Sequence, residues 1–149
     1  MVAAILIATH HKGLPTTARP VASDRTTASA HTSSAAPRAT PKIPAALAGT
    51  WTGTVRQTDP TLAVTVRISL AQGRPAGTIS YPQLGCSGRL KLVSVLAGTF
   101  TLEQGITKGQ QSCDSGVVVL SPQGTTSMAF KFRRSDAPSP AGVLTKTGS

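Results

Sequence analysis

The clearest structural signal in the sequence is the run Leu62-Ala63-Val64-Thr65-Val66-Arg67-Ile68-Ser69-Leu70-Ala71. Its even-numbered positions are all large aliphatic residues, whereas its odd-numbered positions are small, polar or charged. Successive side chains of a strand point to opposite faces, so this period of two gathers the aliphatic groups on one side. The run predicts a strand with one face in a core and the other in water, as is typical of antiparallel sheets.

Seven further short runs with strand-like character flank this one. They lie at roughly 10-residue spacing with Gly-, Pro- or Ser-containing turns between them, and none has a convincing helical period. Residues 117–120 are apolar throughout, so their inward and outward faces cannot be assigned from the pattern. The runs are residues 48–55, 77–81, 86–92, 99–103, 117–120, 128–133 and 141–145.

These runs predict an all-β fold, a small antiparallel up-and-down barrel of about eight strands. Closure of the sheet removes exposed strand edges, and a two-sheet β-sandwich is the alternative. An eight-stranded interior is either filled by its own side chains or just wide enough for one small ligand, and both options stay open. Four aromatic residues are expected as core anchors: Trp51, Tyr81, Phe100 and Phe130.

The chain contains two cysteines, Cys86 and Cys113. They lack the CxxC spacing of zinc or redox sites, and all three histidines precede the predicted strands, so a disulfide is the favoured interpretation. Two free buried thiols in a cytosolic protein are the alternative. Because structural disulfides persist in oxidising compartments, we expect the domain to be extracytoplasmic, either secreted or tethered on the envelope side of a membrane.

The first third of the chain differs in composition from the rest. Residues 1–9 are apolar but too short to span a bilayer, and they suggest either part of a longer membrane helix or a degenerate signal. Residues 10–45 are rich in Thr, Ser, Ala and Pro and are expected to form a disordered linker. Residues 46–149 are expected to form the β domain with its one disulfide.

The formal net charge of +10 does not by itself indicate a nucleic-acid partner. Basic residues are spread singly, with Arg133-Arg134 the only adjacent pair, and aromatic residues are 3% of the chain, too few for a base-stacking platform. We therefore expect no nucleic-acid binding. Scattered basic charge is typical of a solvated surface and also favours attraction to an anionic envelope or lipid surface.

Catalytic and metal-binding patterns are weak. Asp114-Ser115-Gly116 has no histidine after His31 to act as a general base, and Glu103 is more simply a surface partner of Arg89 or Lys91 than a catalytic acid. His10, His11 and His31 lie in the linker without a scaffold to hold a metal. We therefore expect no enzymatic activity, no cofactor and no metal.

Several spaced motifs lie within roughly residues 46–146: Leu47-Ala48-Gly49-Thr50-Trp51-Thr52-Gly53, Gly77-Thr78-Ile79-Ser80-Tyr81-Pro82, Leu84-Gly85-Cys86-Ser87-Gly88-Arg89-Leu90, residues 103–105 and Cys113-Asp114-Ser115-Gly116. Together they resemble one known family, the extracytoplasmic C-terminal domain of actinobacterial (Streptomyces-type) serine/threonine protein kinases. The resemblance covers roughly residues 46–146 and implies a sensor-like β domain carried on a spacer and a membrane helix. The kinase motifs themselves are absent from this chain, since it has no glycine-rich nucleotide loop, His-Arg-Asp or Asp-Phe-Gly. The opening Gly49-Thr50-Trp51 also resembles the first strand of lipocalins.

The expected function is that of a sensor or ligand-binding module whose partner is a small molecule, a cell-wall component or a protein. A polar loop that the disulfide would hold against the sheet is the candidate binding site. The alternative function is a secreted protease inhibitor on a small barrel, with residues 39–48 as the inserting arm. The candidate loop comprises Gln104, Gly105, Thr107, Lys108, Gly109, Gln110 and Gln111.

Overall fold

A computed structural model describes residues 39–135 and 139–149. The expected apolar segment 1–9, the linker up to residue 38 and its three histidines lie outside the described residues. Eight strands follow one another in the described part, with a single 3-10 turn at Pro82–Leu84. The strands are β1 Gly49–Thr58, β2 Thr61–Leu70, β3 Ala76–Tyr81, β4 Cys86–Leu96, β5 Thr99–Lys108, β6 Gly116–Pro122, β7 Ser127–Arg133 and β8 Ala141–Gly148.

Each strand pairs antiparallel with its neighbours in the chain, and β8 pairs with β1 to close the sheet into a barrel. The predicted up-and-down barrel is confirmed, and the alternative β-sandwich is wrong. In β2 the predicted alternation holds at Val64, Val66, Ile68 and Leu70, which are buried. Leu62 shares their parity but is 42% exposed, because it lies where the strand reaches the barrel end.

Inward-facing side chains fill most of the barrel. The four expected anchors are buried, with exposures of 0% for Trp51, 7% for Tyr81, 6% for Phe100 and 2% for Phe130. The undetermined run in β6 faces inward at its even-numbered positions. The aliphatic and Met residues that are completely buried are Leu47, Val66, Ile68, Leu90, Leu92, Leu102, Val118, Leu120, Met128 and Leu144.

One end of the barrel is closed by the segment that precedes β1. Ile43 and Leu47 from this segment are 1% and 0% exposed within the core. Ile43 exchanges two backbone hydrogen bonds of 2.8 Å with Gly73 and Arg74 in the β2–β3 turn, and Trp51 Nε1 donates to the Leu47 carbonyl at 2.9 Å. We call this the closed end. The folded domain thus begins at least as early as Ile43, three residues before the boundary expected from composition.

Candidate functional site

The opposite end of the barrel, which we call the open end, contains a pocket of about 110 Å³. It lies where β1, β3, β5 and β7 end and where the neighbouring strands begin. Apolar side chains make up most of its wall, and a few polar groups lie at its floor and rim. The lining residues are Val55, Gln57, Leu62, Val64, Tyr81, Leu84, Gln104, Ser112, Cys113, Asp114, Phe130, Phe132, Arg134 and Pro140.

A short hydrogen-bond chain forms the polar part of the pocket. Tyr81 Oη donates to Gln104 Oε1 at 2.8 Å, and Gln104 Nε2 donates to the backbone oxygen of Asp114 at 2.9 Å. Gln104 is 2% exposed, and a buried side-chain amide requires hydrogen-bond partners within the protein. By their donor and acceptor inventory, Tyr81 Oη and Gln104 Oε1 each keep a lone pair for a further bond. Both residues line the pocket, so its polar part has unused acceptor capacity.

Burial also changes the acidity of Tyr81. Loss of solvent raises the pKa of its phenol above the ordinary value of 10.0, while the hydrogen bond to Gln104 acts in the lowering direction. Desolvation dominates because it disfavours the charged phenolate. Tyr81 is therefore a neutral hydrogen-bonding group at physiological pH.

We expect the native protein to show no phenolate absorbance at the pH where free tyrosine ionises. Tyr81 is the only tyrosine, so the phenolate band in the near ultraviolet reports on it alone. Because the pKa of Tyr81 is higher in the folded state than in the unfolded state, the protonated phenol contributes its full stabilisation below about pH 10. That stabilisation is lost above pH 10, by up to about 1.4 kcal/mol per pH unit. Tyr81→Phe is the control, because it lacks the phenol and its stability should fall less steeply as the pH rises. A native phenolate signal with its midpoint at the ordinary pKa would contradict the prediction.

The rim of the pocket carries an ion pair between Arg134 and Asp114, which joins the end of β7 to the segment between β5 and β6. Their side chains are 37% and 60% exposed, so the pair contributes at most about 1 kcal/mol to stability. Its greater effect is geometric, because it places a cation and an anion beside the entrance. Leu62 lies on the same rim and adds exposed apolar surface.

The disulfide between Cys86 and Cys113 is present, with Cα atoms 6.2 Å apart. It joins the buried start of β4 to the β5–β6 connection, residues 109–115, at the open end. Gly109 makes this close approach possible: its φ is +75°, and a Cβ there would lie 2.8 Å from the Gly85 carbonyl oxygen. The bond is of a kind that persists in oxidising surroundings.

The loop between β5 and β6 is shorter than the sequence predicts. Gln104, Gly105, Thr107 and Lys108 belong to β5, which continues to Lys108. The expectation of a loop there was wrong because backbone pairing with β4 and β6 overrides the weak strand preference of Gly and Gln. Of the candidate loop residues, the connection between the strands holds Gly109, Gln110 and Gln111.

The pocket combines only one of these loop candidates, Gln104, with two of the predicted core anchors, Tyr81 and Phe130. Most other lining residues were not singled out from sequence. A usable signal existed for Gln104, since Phe100, Leu102, Gln104 and Ile106 share one parity and all four are buried. Arg134 had no comparable signal, because its position at the rim depends on barrel closure.

Comparison with known proteins gives no matching family model, no matching curated protein and no matching solved structure. Within residues 39–135 and 139–149, no helix has the length and hydrophobicity to span a membrane. Nor does any cluster of three or more His, Cys, Asp or Glu side chains occur in that part of the chain. The geometry of the open end is therefore the basis for assigning a function.

Proposed function

We propose that this domain is a non-enzymatic extracytoplasmic sensor or ligand-binding module, and that its ligand enters the open end of the barrel. The observation that carries the proposal is the asymmetry of the barrel. Ile43 and Leu47 seal one end, whereas the other has an apolar pocket above the Tyr81–Gln104 pair. Apolar walls with a few convergent polar groups are typical of small-molecule sites.

The dimensions of the pocket restrict the ligand. A dry cavity of about 150 Å³ holds benzene, and complete drug-sized ligands occupy roughly 300 Å³ or more. At about 110 Å³, this pocket suits a ring or a short alkyl group, with the remainder of a larger ligand at the rim. A hydroxyl or amide N–H on the entering group would satisfy the lone pairs on Tyr81 and Gln104. Small molecules and cell-wall fragments with such groups are the first ligands to test.

The extracytoplasmic location is supported by the disulfide and by the Thr/Ser/Pro-rich composition that precedes the domain. The resemblance to the kinase sensor domain supports the same location and a sensing role. In this proposal a signal would consist of ligand-dependent ordering at the open end, where the disulfide and the Arg134–Asp114 pair hold residues 109–115.

Filling the pocket should abolish ligand binding without unfolding the domain. Val64 lines the pocket and is 8% exposed, so Val64→Phe places extra carbon atoms in the space that a ligand would occupy. We expect wild type to show a saturable rise in melting temperature with at least one small aromatic alcohol, amide or wall fragment. Val64→Phe should lose that rise entirely.

Val143→Phe is the matched control, because Val143 is 50% exposed on β8 and makes no part of the pocket. It should respond as wild type does. Equal responses from the two variants would refute the open end as the site, and a library that shifts the melting temperature of neither wild type nor control would refute the binding proposal.

The protease-inhibitor alternative receives less support. Its inserting arm was placed at residues 39–48, and two residues of that arm, Ile43 and Leu47, are buried in the domain's own core. An arm used in this way would have to leave the barrel before it could enter a protease. A panel of secreted proteases tests this alternative directly.

A further inference from the structure

A second surface feature lies on the outer wall of the barrel, on the opposite face of the sheet from the side chains that line the pocket. The outer faces of β2, β3, β4 and β5 form a depression of about 420 Å³. Two arginines border it and five hydroxyl-bearing residues line it, which is a different chemistry from that of the apolar pocket. Its lining comprises Arg67, Ser69, Thr78, Ile79, Ser80, Ser87, Gly88, Arg89 and Thr107.

The strand register places these outward groups in two adjacent rows across the sheet. One row reads Arg67, Ser80, Ser87 and Lys108 on β2, β3, β4 and β5, with basic residues at both ends and serines between them. The next row reads Ser69, Thr78, Arg89 and Gly105 on the same strands. At ordinary sheet spacing, the Cα atoms of Arg67 and Arg89 are roughly 12 Å apart. From that separation, extended arginine side chains can reach towards each other and still admit one small anion between their head groups.

The surface is concave because the residues between the basic groups are small. Gly105, directly opposite Arg89, faces outward, and a Cβ built there would have no atom within 4 Å. This absence of a side chain leaves open space on the outer face at the position opposite Arg89. Serines at the centre of the first row have the same effect and add hydroxyl donors.

The two arginines are not neutralised by acidic neighbours. Within the described ranges, neither Arg67 nor Arg89 has a carboxylate oxygen within 4.0 Å of a side-chain nitrogen. The nearest acidic position in the register is Glu103, which lies opposite Lys91 rather than Arg89. Lys108, opposite Ser87, adds a third positive charge. The face thus has a local positive charge beyond the general basicity of the chain.

We propose that this face binds a phosphoryl group, either as free phosphate or within a polyphosphate chain. The planar guanidinium fork matches the oxygen geometry of phosphate, and two such groups with serine hydroxyls between them can bond several oxygens at once. Aromatic side chains, which recognition of neutral sugars commonly uses, do not line the depression. The inference is independent of the ligand proposed for the open end.

The test is a titration of the full chain, at physiological ionic strength, with inorganic phosphate and separately with linear polyphosphate. NMR should show saturable amide shifts centred on Thr78, Ser80 and Ser87. Arg67→Gln combined with Arg89→Gln should weaken binding at least tenfold, because charge-assisted bonds from both sides of the anion are lost. Similar site affinity for both probes indicates a site for the free anion, and tighter polyphosphate binding indicates that the polymer extends along the face. Both results support the proposal.

A second double variant, Lys131→Gln with Arg133→Gln, is the matched control. It also removes two positive charges, but from the outer face of β7, and should weaken binding less than twofold. Equal weakening by the two double variants would overturn the proposal in favour of non-specific attraction by net charge. The proposal would also be overturned if neither phosphate nor polyphosphate gave saturable shifts. Binding to phosphatidylglycerol vesicles alone, with no response to these two probes, would overturn it as well. Val64→Phe, which blocks the open end, should leave these shifts unchanged, so each proposal can fail without the other.

Discussion

Removing the disulfide, by Cys86→Ala with Cys113→Ser, is expected to lower the free energy of unfolding by about 3.5 kcal/mol. The bonded cysteines are 27 positions apart, and releasing a loop of that length restores chain entropy to the unfolded state. For a domain of this size, the melting temperature should fall by roughly 15 °C or more. Thermal and urea unfolding, followed by fluorescence of the single tryptophan, Trp51, measure both quantities.

Reductant provides the control for this prediction. Reduced wild type should melt close to the double variant, whereas the variant should be insensitive to reductant. Faster hydrogen exchange in residues 109–115 should accompany the loss, because Cys113 holds this connection against the start of β4. A wild-type melting temperature unchanged by complete reduction would show that the bond contributes little, and the structural role given to it here would be wrong.

The second large effect is expected at the closed end, where Leu47→Ala should cost about 3 kcal/mol. Leu47 is completely buried, and its truncation leaves a cavity beneath the segment that seals the barrel. Its backbone carbonyl also accepts the hydrogen bond from Trp51 Nε1. Denaturant unfolding monitored by Trp51 measures the loss, and a red shift of native emission would report water reaching the indole.

Leu96→Ala is the matched control, because it makes the same truncation at a residue that is 78% exposed in the β4–β5 hairpin. Its cost should be below about 0.5 kcal/mol. A small and similar loss in both variants would mean that residues 39–48 do not seal the barrel in solution. That outcome would weaken the asymmetry on which the proposed function rests and would favour a mobile arm instead.

The closed end also shows a limit of sequence analysis. Ile43 and Leu47 stand among Pro and Ala in a stretch without alternation, so composition places them with the linker. Their burial follows from the cap that they form over the barrel, including backbone bonds to Gly73 and Arg74. No local pattern reports a contact with a turn about thirty residues further along the chain.

The candidate site was predicted only in part. Local composition indicated a loop at Gln104, yet the same residue lies inward in β5 and bonds Tyr81. Parity was the better guide, because the period of two continues from Phe100 through Ile106. The disulfide was correctly expected, whereas the pocket beside it requires side chains from five of the eight strands.

Residue order along the chain was enough to predict the strands, most of their inward faces, the disulfide partners and the all-β class. These properties depend on side-chain alternation, turn residues and the presence of just two cysteines, all of which are visible along the chain. Tertiary structure alone decided which end is closed, where a ligand could enter and how Arg67 and Arg89 share one face. The reason is physical: a pocket or a charged surface consists of groups brought together by closure of the sheet, and residue order along one strand does not encode their separation in space.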